Sequence, residues 1–159
     1  MNTLKTYLCA LLCVGLMAGQ AQAHGFKLGA LRIDHPYATP SENDTGHVFF
    51  RRLTNEGTRA DRLVEASTPI AQQVVMQRQN PHDETAPISP VAHIDLPPHG
   101  EVAFRHDSPE GYVLMLQGLS SPLKVGDRFT VTLRFAHAGT RQVEVWVQQP
   151  RPNTSSHSH

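Results

Sequence analysis

"RFTVTLRFAHAGTRQVEVWV", residues 128–147, alternates apolar and polar side chains twice, with a turn between the two runs. Phe129, Val131, Leu133 and Phe135 share one phase against Thr130, Thr132 and Arg134, and Val143, Val145 and Val147 share one phase beyond Ala136-His137-Ala138-Gly139-Thr140. Period-2 alternation of β-branched and aromatic residues on both sides of a short glycine-containing turn is the pattern of a β-hairpin with one wet face. Trp146 falls in the polar phase, which places it over an edge or rim and away from the middle of the core.

The same pattern continues upstream. Runs rich in Val, Ile, Thr and aromatics, bounded by Pro, Gly, Asn and Asp, predict strands at 30–36, 45–54, 60–67, 71–79, 90–96, 100–105, 112–117, 128–136 and 141–148. Pro87, Pro90, Pro97, Pro98, Pro109 and Pro122 fall at strand ends or loops, where a missing N–H costs no ladder bond. No stretch keeps a helical period for a useful length. The expectation is an all-β chain folded as a two-sheet sandwich or a small barrel.

The ends read differently. Lys5, the apolar run Tyr7–Met17 and the small-residue site Ala21-Gln22-Ala23 make residues 1–23 an export signal, so the mature chain is expected to begin at His24. Of 159 residues, 136 then remain for one domain, 24–148, and a His-containing tail, 149–159, whose composition predicts disorder. Cys9 and Cys13 both lie in the signal, which leaves the mature chain without thiol, disulfide or zinc–thiolate chemistry. Loss of Lys5 leaves 13 basic against 14 acidic residues, with no basic cluster to bind nucleic acid. No later apolar run approaches the roughly 20 residues of a spanning helix.

Enzyme signatures are missing. There is no Gly-x-Ser-x-Gly elbow, phosphate loop, His-Glu-x-x-His helix or dinucleotide fingerprint. Imidazole and thioether are the donors on offer, because all ten histidines and two methionines, Met76 and Met115, belong to the mature chain. Such soft or borderline donors suit copper over calcium or magnesium. Met76 runs in phase with Val74 and is assigned to the core. Met115 shares its face with Val113 and Gln117, while Leu114 and Leu116 point the other way, so its sulfur is either partly exposed and a ligand or an adaptable core filler. His24 would pair an imidazole with a free α-amino group, a chelate for Cu(II). The tail pair His157 and His159 offers a weaker one.

Four segments together resemble the periplasmic copper chaperones of the PCu(A)C (DUF461) family: "GALRIDHPYATP" (29–40), "ADRLVEASTPIAQQV" (60–74), "HIDLPPHGEV" (93–102) and "GYVLMLQGLSSPLKVGDRFTVTLRFAHAG" (111–139). The resemblance implies a cupredoxin-like, immunoglobulin-like Greek-key β-sandwich. It also implies Cu(I) ligands, but the family's His, Met and His-x-Met positions fall here on Gln77, Ile88, Val113 and Met115, of which only Met115 matches. A lone thioether does not hold Cu(I), which needs two to four converging donors. His82, in the loop after Gln77, and His106, in the segment "RHDSPEGY" ahead of the Gly-Tyr strand, are expected near the same end of the sandwich. A rebuilt site of Met115, His106 and His82, joined by His24, is the resulting expectation.

By this resemblance the chain is an exported, monomeric carrier that binds copper in the periplasm and passes it by ligand exchange to a cuproprotein or an oxidase assembly factor. Two other roles remain open at this level. One is a metal-free binding module for a protein partner, favoured by the three replaced ligands. The other is a copper enzyme built on His24, which requires a second imidazole held against the first.

Overall fold

The 128–147 segment forms a hairpin as its alternation demands. Strands β10 (Arg128–Phe135) and β11 (Gly139–Val147) pair antiparallel, with Phe129 opposite Val145 and Val131 opposite Val143. All seven apolar residues of the inner phase are buried. Gly139, at φ 98°, supplies the left-handed residue that brings the chain back. Trp146 takes the opposite face, where its Nε1 donates to Glu144 Oε1 at 2.6 Å and the Arg128 guanidinium lies 3.8 Å above its ring.

The computed structural model describes residues 25–80, 82, 85, 87–106 and 110–150. Residues 1–23, where an export signal is expected, His24 and tail residues 151–159 lie outside the described residues. Nine further strands precede the hairpin: β1 (Gly25–Leu28), β2 (Leu31–Ala38), β3 (Thr45–Asn55), β4 (Asp61–Ser67), β5 (Ala71–Gln79), β6 (Ile88–Pro90), β7 (Ile94–Leu96), β8 (Gly100–Phe104) and β9 (Gly111–Leu119). Together with the hairpin they form one curled sheet in the order β6-β5-β9-β3-β2-β11-β10-β4-β7, with β1 paired to β2 and β8 to β3. The sheet turns back at β2, whose Tyr37 and Ala38 pair in parallel with Trp146 and Val147. Leu114, Leu116, Val48 and Phe50 from one half meet Val131, Leu133, Val145 and Leu63 from the other in a single core. This is the cupredoxin-like β-sandwich.

Two elements differ from the sequence expectation. The 90–96 strand is two pieces on opposite edges, because β6 pairs with β5 while β7 pairs with β4. Pro90 lacks an N–H, and after Val91 N donates to Met76 O at 2.9 Å the chain crosses to the other layer. Strand β1 is additional: a four-residue run held by antiparallel pairing from Gly25↔Asp34 to Leu28↔Leu31, with Phe26 and Leu28 packed against the core.

A change of phase in β2 and β3 prepares the functional face. Leu31 and Ile33 point into the core, and then Pro36 and Ala38 do; in β3 the buried set changes from Val48 and Phe50 to Leu53 and Asn55. His35, at φ 48°, carries the change in β2, and the β3–β8 register shifts between Phe50 and Leu53. A left-handed non-glycine residue inside a strand costs on the order of 1–2 kcal/mol. Its effect is to turn Tyr37 and Phe49 to the outer face, where they join Val113 in a second, smaller buried cluster.

Candidate metal site

Strands β5, β9 and β3 lie side by side, and their registers set a grid of outward side chains. Val75 is opposite Met115, and Met115 is opposite His47. On one side run Gln73, Gln117 and Thr45; on the other run Gln77 and Val113, with Phe49 next along β3. Met115 is half-buried, as its phase predicts, between the fully buried Leu114 and Leu116 of the inner face.

His47 is the residue the sequence did not single out. Directly opposed residues on one face of an antiparallel pair have Cβ atoms about 4.5–5.5 Å apart, so the thioether and the imidazole are near enough to share one ion. The His47 ring stacks 6.5 Å from Phe49 at 28° and makes no hydrogen bond among the described residues. Burial pushes its pKa below the ordinary imidazole value. At neutral pH His47 is therefore uncharged, with a ring lone pair free to coordinate.

His106 packs on Phe49, the ring that His47 stacks against. Its ring packs 5.8 Å from both Tyr37 and Phe49, its Nδ1 shares a 2.8 Å hydrogen bond with the Tyr37 hydroxyl, and its backbone N–H donates to the same oxygen at 3.3 Å. Nε2 is left as the nitrogen that can meet an ion. His82 is placed elsewhere: exposed, with Nε2 3.3 Å from Glu110 Oε1, next to the start of β9. Gly111 and Met115 are separated by about 13 Å of extended strand, so His82 is not brought to Met115. His24 lies outside the described residues.

Three of the four positions that resemblance assigns to the ligand motif lie together: Gln77 and Val113 are register partners and Met115 is on the same face. Ile88 is apart from them, exposed on β6 opposite Gln79, whose other neighbour is Gly111. Convergence without donors leaves Val113 sealed under Tyr37 and Phe49. Among the described residues no three His, Cys, Asp or Glu side chains meet as a metal cage. What the face offers is one thioether and one neutral imidazole, with a second imidazole at the rim, a set whose softness fits Cu(I) and not a hard cation. Two clefts lie apart from it, one of about 340 Å³ against Asp61, Leu96 and His137 and one of about 410 Å³ beside Arg78, Glu110 and Tyr112.

Sandwich topology defines a cupredoxin-like β fold, with one thioether and one imidazole directly opposed on its outer face. The LpqE-like lipoprotein family model matches residues 31–147, and the chain belongs to that family, which is of the PCu(A)C (DUF461) kind. Among solved structures it is similar to the apo PCuAC domain from PmoF1 (22% identity, 80% of this chain and 100% of that one, TM-score 0.66). It is similar to the copper-bound PCuAC domain from PmoF2 (25% identity, 80% and 99%, TM-score 0.65). It is also similar to the Cu(I) form of DR1885 from Deinococcus radiodurans (24% identity, 83% and 85%, TM-score 0.58). No curated protein matches it.

Proposed function

We propose that this protein is an exported copper carrier whose cargo ion is held on the outer face by Met115 and His47, with His106 at the rim. The observation that carries the reading is the direct opposition of Met115 and His47 across β9 and β3, on the face that also holds Gln77 and Val113 of the positions resembling the copper motif. Likeness to the copper-bound domain from PmoF2 and to the Cu(I) form of DR1885 supports copper as the cargo. Membership of a family named for a lipoprotein, with the apolar Tyr7–Met17 segment, supports export to the periplasm. A half-buried pair with too few donors suits transfer by ligand exchange to a cuproprotein or an oxidase assembly factor, because an incoming donor can enter. Its role is carriage without catalysis. His24 is a separate Cu(II) chelate in this proposal.

The test is an anaerobic Cu(I) competition titration against a coloured chelator, comparing wild type with Met115→Leu and His47→Phe. Both replacements fill the space and remove the donor. Each is expected to weaken Cu(I) binding by about tenfold or more, the scale on which metal sites respond even to loss of supporting groups. Undiminished binding by Met115→Leu would refute the assignment. Wild type that takes no copper would favour the metal-free binding module, the reading supported by Val113 lying buried at a ligand position.

A further inference from the structure

Seven residues make up the accessible outer grid, Gln73, Val75, Gln77, Thr45, His47, Met115 and Gln117, with Phe49 and Val113 buried beside them. None is an Asp, Glu, Lys or Arg. That is unusual on a surface whose other outer positions include Arg134 paired with Glu65, Arg52 with Glu101 and Arg62 with Asp95. Protein interfaces are depleted in charge at their centres and enriched in Met and aromatics. A face of amides, a hydroxyl and apolar groups around a thioether has that composition.

The donor count limits what can lie on it. Met115 and His47 give an ion two ligands, and Cu(I) with soft donors is satisfied by up to four. Two copies of the same face, related by a two-fold axis through the ion, supply two thioethers and two imidazoles. An isologous contact of this kind needs a surface that does not repel itself. The uncharged grid meets that condition, whereas a face bearing like charges near the axis would oppose itself.

We infer that copper joins two copies of this chain face to face across the β5–β9–β3 grid, each contributing Met115 and His47 to one shared Cu(I). The inference rests on the copper-carrier reading. Without the ion the chain is a monomer; with it, the dimer stores copper in a closed form, and a partner with a competing soft donor takes the place of one copy to receive the ion.

Sedimentation equilibrium under anaerobic conditions, with Cu(I) added in steps and sulfur and nitrogen scattering read by X-ray absorption, tests it. The expected result is a mass that doubles and saturates at half an ion per chain, with two sulfurs per copper. Met115→Leu removes both copper and dimer. Gln117→Glu, which puts like charges across the axis without touching a donor, is expected to shift the dimer midpoint at least tenfold higher in protein concentration while one chain still takes copper weakly. Saturation at one ion per monomeric chain overturns the shared site and leaves the carrier reading standing. No copper uptake at all overturns both.

Discussion

Tyr37→Phe tests the contact that holds His106 against the outer aromatic cluster. The substitution keeps the ring, which stacks 5.5 Å from Phe49 at 28° within the outer cluster, and removes only the hydroxyl. Lost with it are the 2.8 Å bond to His106 Nδ1 and the longer 3.3 Å bond from the His106 backbone N–H. A net hydrogen bond stabilises by about 0.5–1.5 kcal/mol, and His106 is exposed enough for water to replace part of what is lost. The expected cost is about 1–2 kcal/mol, which for a domain of this size lowers Tm by roughly 4–8 °C. Tyr37→Ala, which also empties the stack, is expected to cost about 3–5 kcal/mol. Urea denaturation gives the stability, and amide hydrogen exchange at His106 gives the local effect. Faster exchange at His106 in Tyr37→Phe, with the β3 and β9 amides unchanged, is the predicted pattern. If Tyr37→Phe matches wild type in both, the hydroxyl does not hold His106, and the rim imidazole must be placed by something else.

Asp61 makes a structural counterpart at the other end of the sandwich. It is buried and accepts from the backbone N–H groups of Arg62, His137 and Ala138 at 2.8–2.9 Å, so Asp61→Ala strands three donors and is expected to cost roughly 3 kcal/mol or more in urea denaturation without affecting copper uptake. His47 makes stability depend on pH: its native pKa lies below its unfolded value, so its contribution is complete above the unfolded value near 6.5 and is lost as pH falls through the native one. Wild type is expected to lose more stability than His47→Phe between about pH 6.5 and pH 5, read from urea midpoints. Equal slopes would show that burial of His47 is not what perturbs it.

Strand phase was legible in the sequence because it is local. Alternation in "RFTVTLRF" fixes which side of β10 is wet, and the same argument set Met115 apart from Leu114 and Leu116. Neighbours across the sheet were not legible. His47 and Met115 lie far apart in sequence and meet only because β9 runs between β3 and β5, a pairing no single strand encodes. The break in β2 was hidden for a related reason: "IDHPYA" shows a histidine before a proline, yet the left-handed turn at His35 that carries Tyr37 outward depends on β3 changing phase beside it. Loop histidines were the hardest to place. His106 is drawn in by Tyr37 and His82 drawn away to Glu110, through partners a strand pattern does not reveal.

The parallel junction between β2 and β11 ties folding to completion of the chain. Tyr37 and Ala38 find Trp146 and Val147 only after every other strand has been made, and Gln148 N then donates to Ala38 O at 2.9 Å to lock the seam. Until that moment the upper half of β2 is an open edge with unpaired backbone groups. Contacts so distant in sequence form slowly. The seam therefore makes the last strand of the domain the one that closes the edge of its second.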